Sequence, residues 1–159
     1  MKRLYITLIV ALFPVMLFSQ AKQINDIFDR YEDKKGITSI QLNSKLIGAF
    51  IGSLVDNETK ELVSKINSIR ILNVNNKNSD VYLSLRRDLD RLVESGAMES
   101  IINIKDGGDS SIDIFVSERS KEVLLFMSSK PEEFAIISMF GLIDKNVINA
   151  VIKGKINIR

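Results

Sequence analysis

The sequence predicts one α+β domain: a mixed, mostly antiparallel sheet with a C-terminal four-strand meander over about residues 99–140, packed by amphipathic helices in a ferredoxin-like layer arrangement. Three observations carry this reading. Ile112–Val116, Val123–Met127 and Phe134–Phe140 read as successive strands, and the short polar turns Ser117–Glu122 and Ser128–Glu133 between them favour antiparallel neighbours. The earlier part of the chain instead alternates stripes of helical period with short β-branched runs. Finally, 159 residues at 45% hydrophobic content is a one-domain length with enough apolar surface to fill a core.

The N-terminus comes first in chain order. Lys2 and Arg3 precede an apolar run, Leu4 to Phe18, and the small-x-small tripeptide Ser19-Gln20-Ala21. That is the order of a secretory signal peptide over residues 1–21, with cleavage near Ser19, Gln20 or Ala21, and it places the protein in the periplasm or cell envelope, or outside the cell. The run is shorter than the roughly twenty residues of a spanning helix, so no stable transmembrane span is expected after cleavage; retention as an uncleaved anchor is the other reading. There is no cysteine to acylate. Residues 1–21 also hold the whole excess of positive charge, so residues 22–159 carry twenty basic and twenty acidic groups. A neutral domain gives no argument for nucleic acid or an anionic membrane.

Gln23 to Lys35 reads as a helix with Ile24, Ile27, Phe28 and Tyr31 in one stripe, stopped by Gly36. Its acids, Asp26, Asp29, Glu32 and Asp33, read as a solvated face rather than a cation or partner site. Ile37 to Leu42 is a strand. Asn43 or Ser44 then caps a helix carrying Leu46, Ile47, Phe50, Ile51 and Leu54, in which Gly48 and Gly52 suggest close packing more than a membrane-active segment. Asp56-Asn57 opens a helix from Glu58 to Asn67, and Ile69 to Val74 is a strand. After the polar connector Asn75–Asn78, Ser79 or Asp80 caps the longest helix, which runs through Ser95 to Gly96. Val81, Leu85, Leu89, Leu92 and Val93 form its buried stripe, and charges of both signs its self-pairing outer face. Glu99 to Lys105 opens the meander through the turn Asp106–Asp109; Asp144 caps a last helix, Lys145 to Ile152; Lys155 to Arg159 is a tail or short edge strand.

Composition closes several chemistries. Without cysteine or histidine there is no disulfide, thiol nucleophile, thiolate metal site or imidazole base. No phosphate loop or dinucleotide fingerprint is present, so no cofactor is expected. Two clusters remain. Asp106-Gly107-Gly108-Asp109 could hold Ca²⁺ but lacks the alternating ligands of an EF-hand, and reads first as turn chemistry; no metal site is assigned. Ser128-Ser129-Lys130 invites a Ser–Lys nucleophile but sits in a turn before Pro131, without accompanying acyl-enzyme motifs. No catalytic residue is therefore assigned.

Several stretches taken together carry a resemblance: Asn25-Asp26-Ile27-Phe28-Asp29-Arg30-Tyr31 with Gly36-Ile37-Thr38-Ser39, then Ile69-Arg70-Ile71-Leu72, Ile104-Lys105-Asp106-Gly107, Val123-Leu124-Leu125-Phe126, Glu133-Phe134-Ala135-Ile136-Ile137-Ser138 and Gly141-Leu142-Ile143-Asp144. In this order they resemble an exported family of Bacteroidetes-type bacteria known as domain of unknown function forty-two fifty-two. The resemblance covers most of the chain beyond residue 21. It implies an envelope location and supplies no catalytic residues. It also hints at a signalling-accessory role beside extracytoplasmic-function sigma factors.

The functional expectation is thus a non-enzymatic envelope module that binds a ligand or an envelope protein. A hydrolase using carboxylates or a Ser–Lys pair, and a structural or membrane-apposed component using Leu46–Leu54, are the alternatives. The meander supplies a test. Val123–Met127 and Phe134–Phe140 are apolar on both faces, as in strands covered on both sides, whereas Ile112–Val116 alternates with Asp113 and reads as nearer an edge. If helices cover only one face, Leu124 and Phe126 remain as an exposed patch, and that face is the candidate partner surface.

Overall fold

The computed structural model describes residues 19–51, 57–106, 110–117 and 123–152. In chain order the elements are α1 (Ser19–Tyr31), β1 (Ile37–Asn43), α2 (Ser44–Ile51), α3 (Asn57–Ser64), β2 (Ile66–Val74), α4 (Asp80–Glu94), β3 (Met98–Asp106), β4 (Ser110–Ser117), β5 (Val123–Ser129), β6 (Phe134–Gly141) and α5 (Lys145–Ile152). The strands form one six-stranded sheet in the order β1-β2-β6-β5-β4-β3, and all five ladders are antiparallel. The expected α+β domain with its meander is therefore present. The β-α-β-β-α-β order of a ferredoxin-like fold is not, because two helices separate β1 from β2 and, among the described residues, four strands follow α4 without a helix between them.

Side-chain alternation sorts the sheet into two apolar faces, and both carry helices. On one, Leu72, Val74, Phe115, Val123, Leu125, Met127, Phe134 and Ile136 lie under Ile24, Ile27, Phe28 and Tyr31 of α1 and Leu85, Leu89 and Leu92 of α4. On the other, Ile69, Ile114, Val116, Leu124, Ile137 and Met139 meet Ile47 of α2, Leu62 and Val63 of α3, and Val147 and Ala150 of α5. The molecule has three layers, with the central strands covered on both sides as the meander test required. Val123, Leu124 and Leu125 are fully buried. Removing each such side chain from water contributes roughly 1.5–3 kcal/mol. Phe126 is only half-buried, at the margin of the second core. β4 lies second from the β3 edge, nearer an edge than β5 or β6 as its alternation indicated, and Asp113 is buried at 8% exposure.

Local chemistry sets the element ends. Ser79 caps α4 by accepting from the Tyr82 N–H, and the chain leaves the helix through Ser95 and Gly96 at φ 74°. Asn43 caps α2 through the Leu46 N–H, and Asp144 caps α5 through the Asn146 and Val147 N–H groups. Two helix ends and one packing expectation need correcting. α1 stops at Tyr31 rather than Lys35: its apolar stripe is exhausted there, and the Lys34 N–H turns to the Tyr31 carbonyl to feed β1 through Gly36. The third helix stops at Ser64, and Ile66, expected in it, begins β2, where it is buried. Gly48 is exposed, with nothing near its missing Cβ, so it is not a close-packing position. Gly52, Leu54, Asp109, the signal segment through Phe18 and the Lys155–Arg159 tail lie outside the described residues.

Candidate functional site

The sheet register brings Asp106 and the Ser128-Ser129-Lys130 cluster to the same end of the meander. At the far end of the meander, β4 and β5 align Ser111 with Ser129 and Ile112 with Ser128, while β3 and β4 align Asp106 with Ser110 and Ile104 with Ile112. These residues, with Lys105, Lys130 and Pro131, line an open groove of about 520 Å³. That is within the range of small-ligand pockets. Ile104 and Ile112 lie 53% and 36% exposed there, beyond the reach of the second core.

Two polar contacts fasten the same strands on the opposite face of the sheet. Lys77, in the loop before α4, donates from Nζ to Ser129 Oγ at 2.9 Å and to the Lys130 carbonyl at 2.9 Å. Behind Ser111, buried Asp113 accepts from Asn103 Nδ2 and, at 3.4 Å, from Ser111 Oγ. Lys130 itself turns away, and its Nζ lies 3.7 Å from Glu133. So the lysine partner of Ser129 is Lys77, not its sequence neighbour Lys130. The Asn75–Asn78 segment, read only as a connector, holds the residue that fastens the end of β5. The contact spans fifty-two positions, and no local pattern could have shown it.

The acidic face of α1 also needs correcting. Asp29 and Glu32 are not merely solvated. Both pair with Arg70 of β2, Nη2 lying 2.7 Å from Asp29 Oδ1 and 2.8 Å from Glu32 Oε2. Nη1 donates to Asn25 Oδ1 at 3.1 Å, and the guanidinium lies 5.2 Å over the Phe28 ring. α1 and α4 form a smaller cleft of about 280 Å³ around Arg30, Asp88 and Arg91. Asp88 takes Arg30 at 2.5 Å and the Tyr31 hydroxyl at 2.9 Å, so the outer face of α4 pairs between helices as well as with itself. Burial, then the bond to Asp88, raises the Tyr31 phenol above its ordinary value. These charges are engaged with one another, which favours a structural role for this cleft.

Among the described residues no group of three or more His, Cys, Asp or Glu side chains could hold a metal ion. No helix among them is long and apolar enough to cross a membrane. Ser19, Gln20 and Ala21 fall in the first turn of α1, where Ala21 packs partly buried against the core. Of the Leu46–Leu54 segment, Leu46 is exposed and Ile47 buried.

No curated protein matches the chain. No solved structure matches it. One family model does, over residues 31–151, from the end of α1 through α5, and so spans the sheet and the groove. The chain belongs to the family described as Domain of unknown function (DUF4252).

Proposed function

We propose that this is an exported cell-envelope protein acting as a non-enzymatic binding or signalling-accessory module, with its ligand held in the groove between β3, β4 and β5. The groove carries the reading: the exposed apolar side chains of Ile104 and Ile112 share one face of the sheet with Ser110 and Ser128. Apolar contact with a few convergent polar groups is the usual composition of a binding pocket. The basic start, apolar run and Ser19-Gln20-Ala21 support export. The test is ligand-induced stabilisation against fractionated envelope extract and a panel of glycans and peptides. A melting shift that disappears in Ile112→Asp supports the groove. A shift that survives that change, or no shift with any fraction, removes it.

The Ser129–Lys77 contact favours a hydrolase as the second reading. A general base within hydrogen-bond reach of a hydroxyl is the first geometric requirement of a Ser–Lys nucleophile. Against it, Nζ donates to two oxygens, which is the role of an ammonium rather than of a base presenting its lone pair. A fluorophosphonate probe separates the readings. Labelling lost in Ser129→Ala and in Lys77→Ala makes the protein an enzyme; no labelling leaves the binding module.

A further inference from the structure

The two edges of the sheet are built differently. The β3 edge carries Glu99, Lys105 and Asp106, and its ladder with β4 is broken by a register shift between Ser100 and Ile102. Charges and bulges are the devices that keep edge strands from pairing with other chains. β1 has neither. Its seven residues, Ile-Thr-Ser-Ile-Gln-Leu-Asn, contain no charge and no proline, and they pair with β2 in unbroken register. Five of the seven are exposed, and Ile40 is 46% open to solvent. Among the described residues β1 pairs only with β2, on one of its two sides.

We propose that β1 is a self-association surface, where two copies of this chain pair antiparallel about a two-fold axis at Ile40 and join their sheets into one. An antiparallel pairing centred on a residue is self-complementary: the same strand supplies both sides, and every outward donor meets an outward acceptor. Centred on Ile40, it sets Ile40 against its copy, Ser39 against Gln41 and Thr38 against Leu42. No charge enters the interface. Leu46, 41% exposed just past the strand, extends the apolar surface. The nearest charges along the chain, Lys35 and Lys45, lie exposed beyond the two ends of the strand; the register brings Lys35 of one copy toward Lys45 of the other, a like-charge approach that opposes pairing and that solvent screens. Residues 22–159 carry equal numbers of acids and bases, so no net charge holds two copies apart. A foreign partner would need its own complementary strand; a second copy brings this one already matched. The inference does not depend on the groove, which lies at the other end of the strand order.

Because the chain has no cysteine, a single introduced thiol reports the geometry directly. In protein recovered from cells expressing the full-length chain, Ile40→Cys should give a dimer on mild oxidation that reductant dissolves, whereas Ile104→Cys on the opposite edge should not. Sedimentation velocity should find the wild type dimeric, and Ile40→Lys and Thr38→Lys monomeric with unchanged circular dichroism. A wild type that is monomeric up to its solubility limit overturns the proposal. So does a dimer that persists in both lysine variants, or cross-linking through residue 104 and not 40.

Discussion

Replacing Arg70 measures what fastens α1 to the sheet. The side chain is 8% exposed, in the middle of β2, and its guanidinium makes charge-assisted contacts to Asn25, Asp29 and Glu32 above the Phe28 ring. Hydrogen bonds to charged groups contribute roughly 1.5–3 kcal/mol each. They do not sum here. The carboxylates of Asp29 and Glu32 are 63% and 32% exposed, so both regain water when the arginine is removed. Arg70→Ala is therefore expected to cost about 3 kcal/mol, including the stem packing lost against Phe28, which is about 10 °C in Tm for a domain of this size. Urea unfolding followed by circular dichroism reads the loss. A double-mutant cycle with Glu32→Ala should return a coupling of about 1 kcal/mol, and Asp29→Asn alone should cost under about 1 kcal/mol. A loss below about 1 kcal/mol for Arg70→Ala, or zero coupling to Glu32, would refute the account of α1 as clamped by this ion cluster.

Other perturbations test separate parts of the fold. Gly141→Ala should destabilise strongly, by about 3 kcal/mol or more, because at φ 156° an added Cβ falls on the Lys65 carbonyl oxygen and 2.9 Å from the Ile66 Cα, both backbone atoms that cannot yield cheaply; thermal melting checks it. Lys65 donates to Asp144 at 2.8 Å, which holds that carboxylate below and the lysine above their ordinary values. The Asp144 contribution is present above the unfolded carboxylate value and lost as pH falls through the lower folded one; the Lys65 contribution is present below the unfolded lysine value and lost as pH rises through the higher folded one. Asp144→Asn should flatten both limbs of a Tm–pH profile, and unchanged limbs would refute the pairing. Lys77→Met should cost about 1 kcal/mol and raise amide exchange in the β5–β6 turn, since it removes both bonds to Ser129 and Lys130.

What the sequence revealed and what it concealed divide along the range of the interactions. Ile24, Ile27, Phe28 and Tyr31, or Leu85, Leu89 and Leu92, declare a buried face by their spacing, and all are in the core. The caps Asn43, Ser79 and Asp144 act within three residues and were equally legible. Strand order was not, because nothing local states that Phe134–Gly141 lies between β2 and β5. Arg70 lies within the strand Ile69–Val74 with no local mark of its role, and only the fold brings Asn25 and Glu32 to it across forty-five and thirty-eight positions. The groove was half visible. Ser128, Ser129, Lys130 and Asp106 stood out as turn chemistry, but Lys77 reaches them from a loop whose composition is that of any connector.

The position of β6 has a consequence for how the chain folds. Among the described residues it is the last strand to be synthesised, yet it lies inside the sheet and pairs with β2, sixty to seventy-five residues earlier. Before Phe134–Gly141 emerges, the chain can form only β1 with β2 and the hairpins of β3, β4 and β5, two half-sheets with unsatisfied inner edges. Such long-range closure is slow and comes late. Local pairings on both sides need no β6, whereas joining them into one sheet requires this eight-residue segment. A chain ending at Ser129 would hold most of the core's side chains and still lack the strand that joins them.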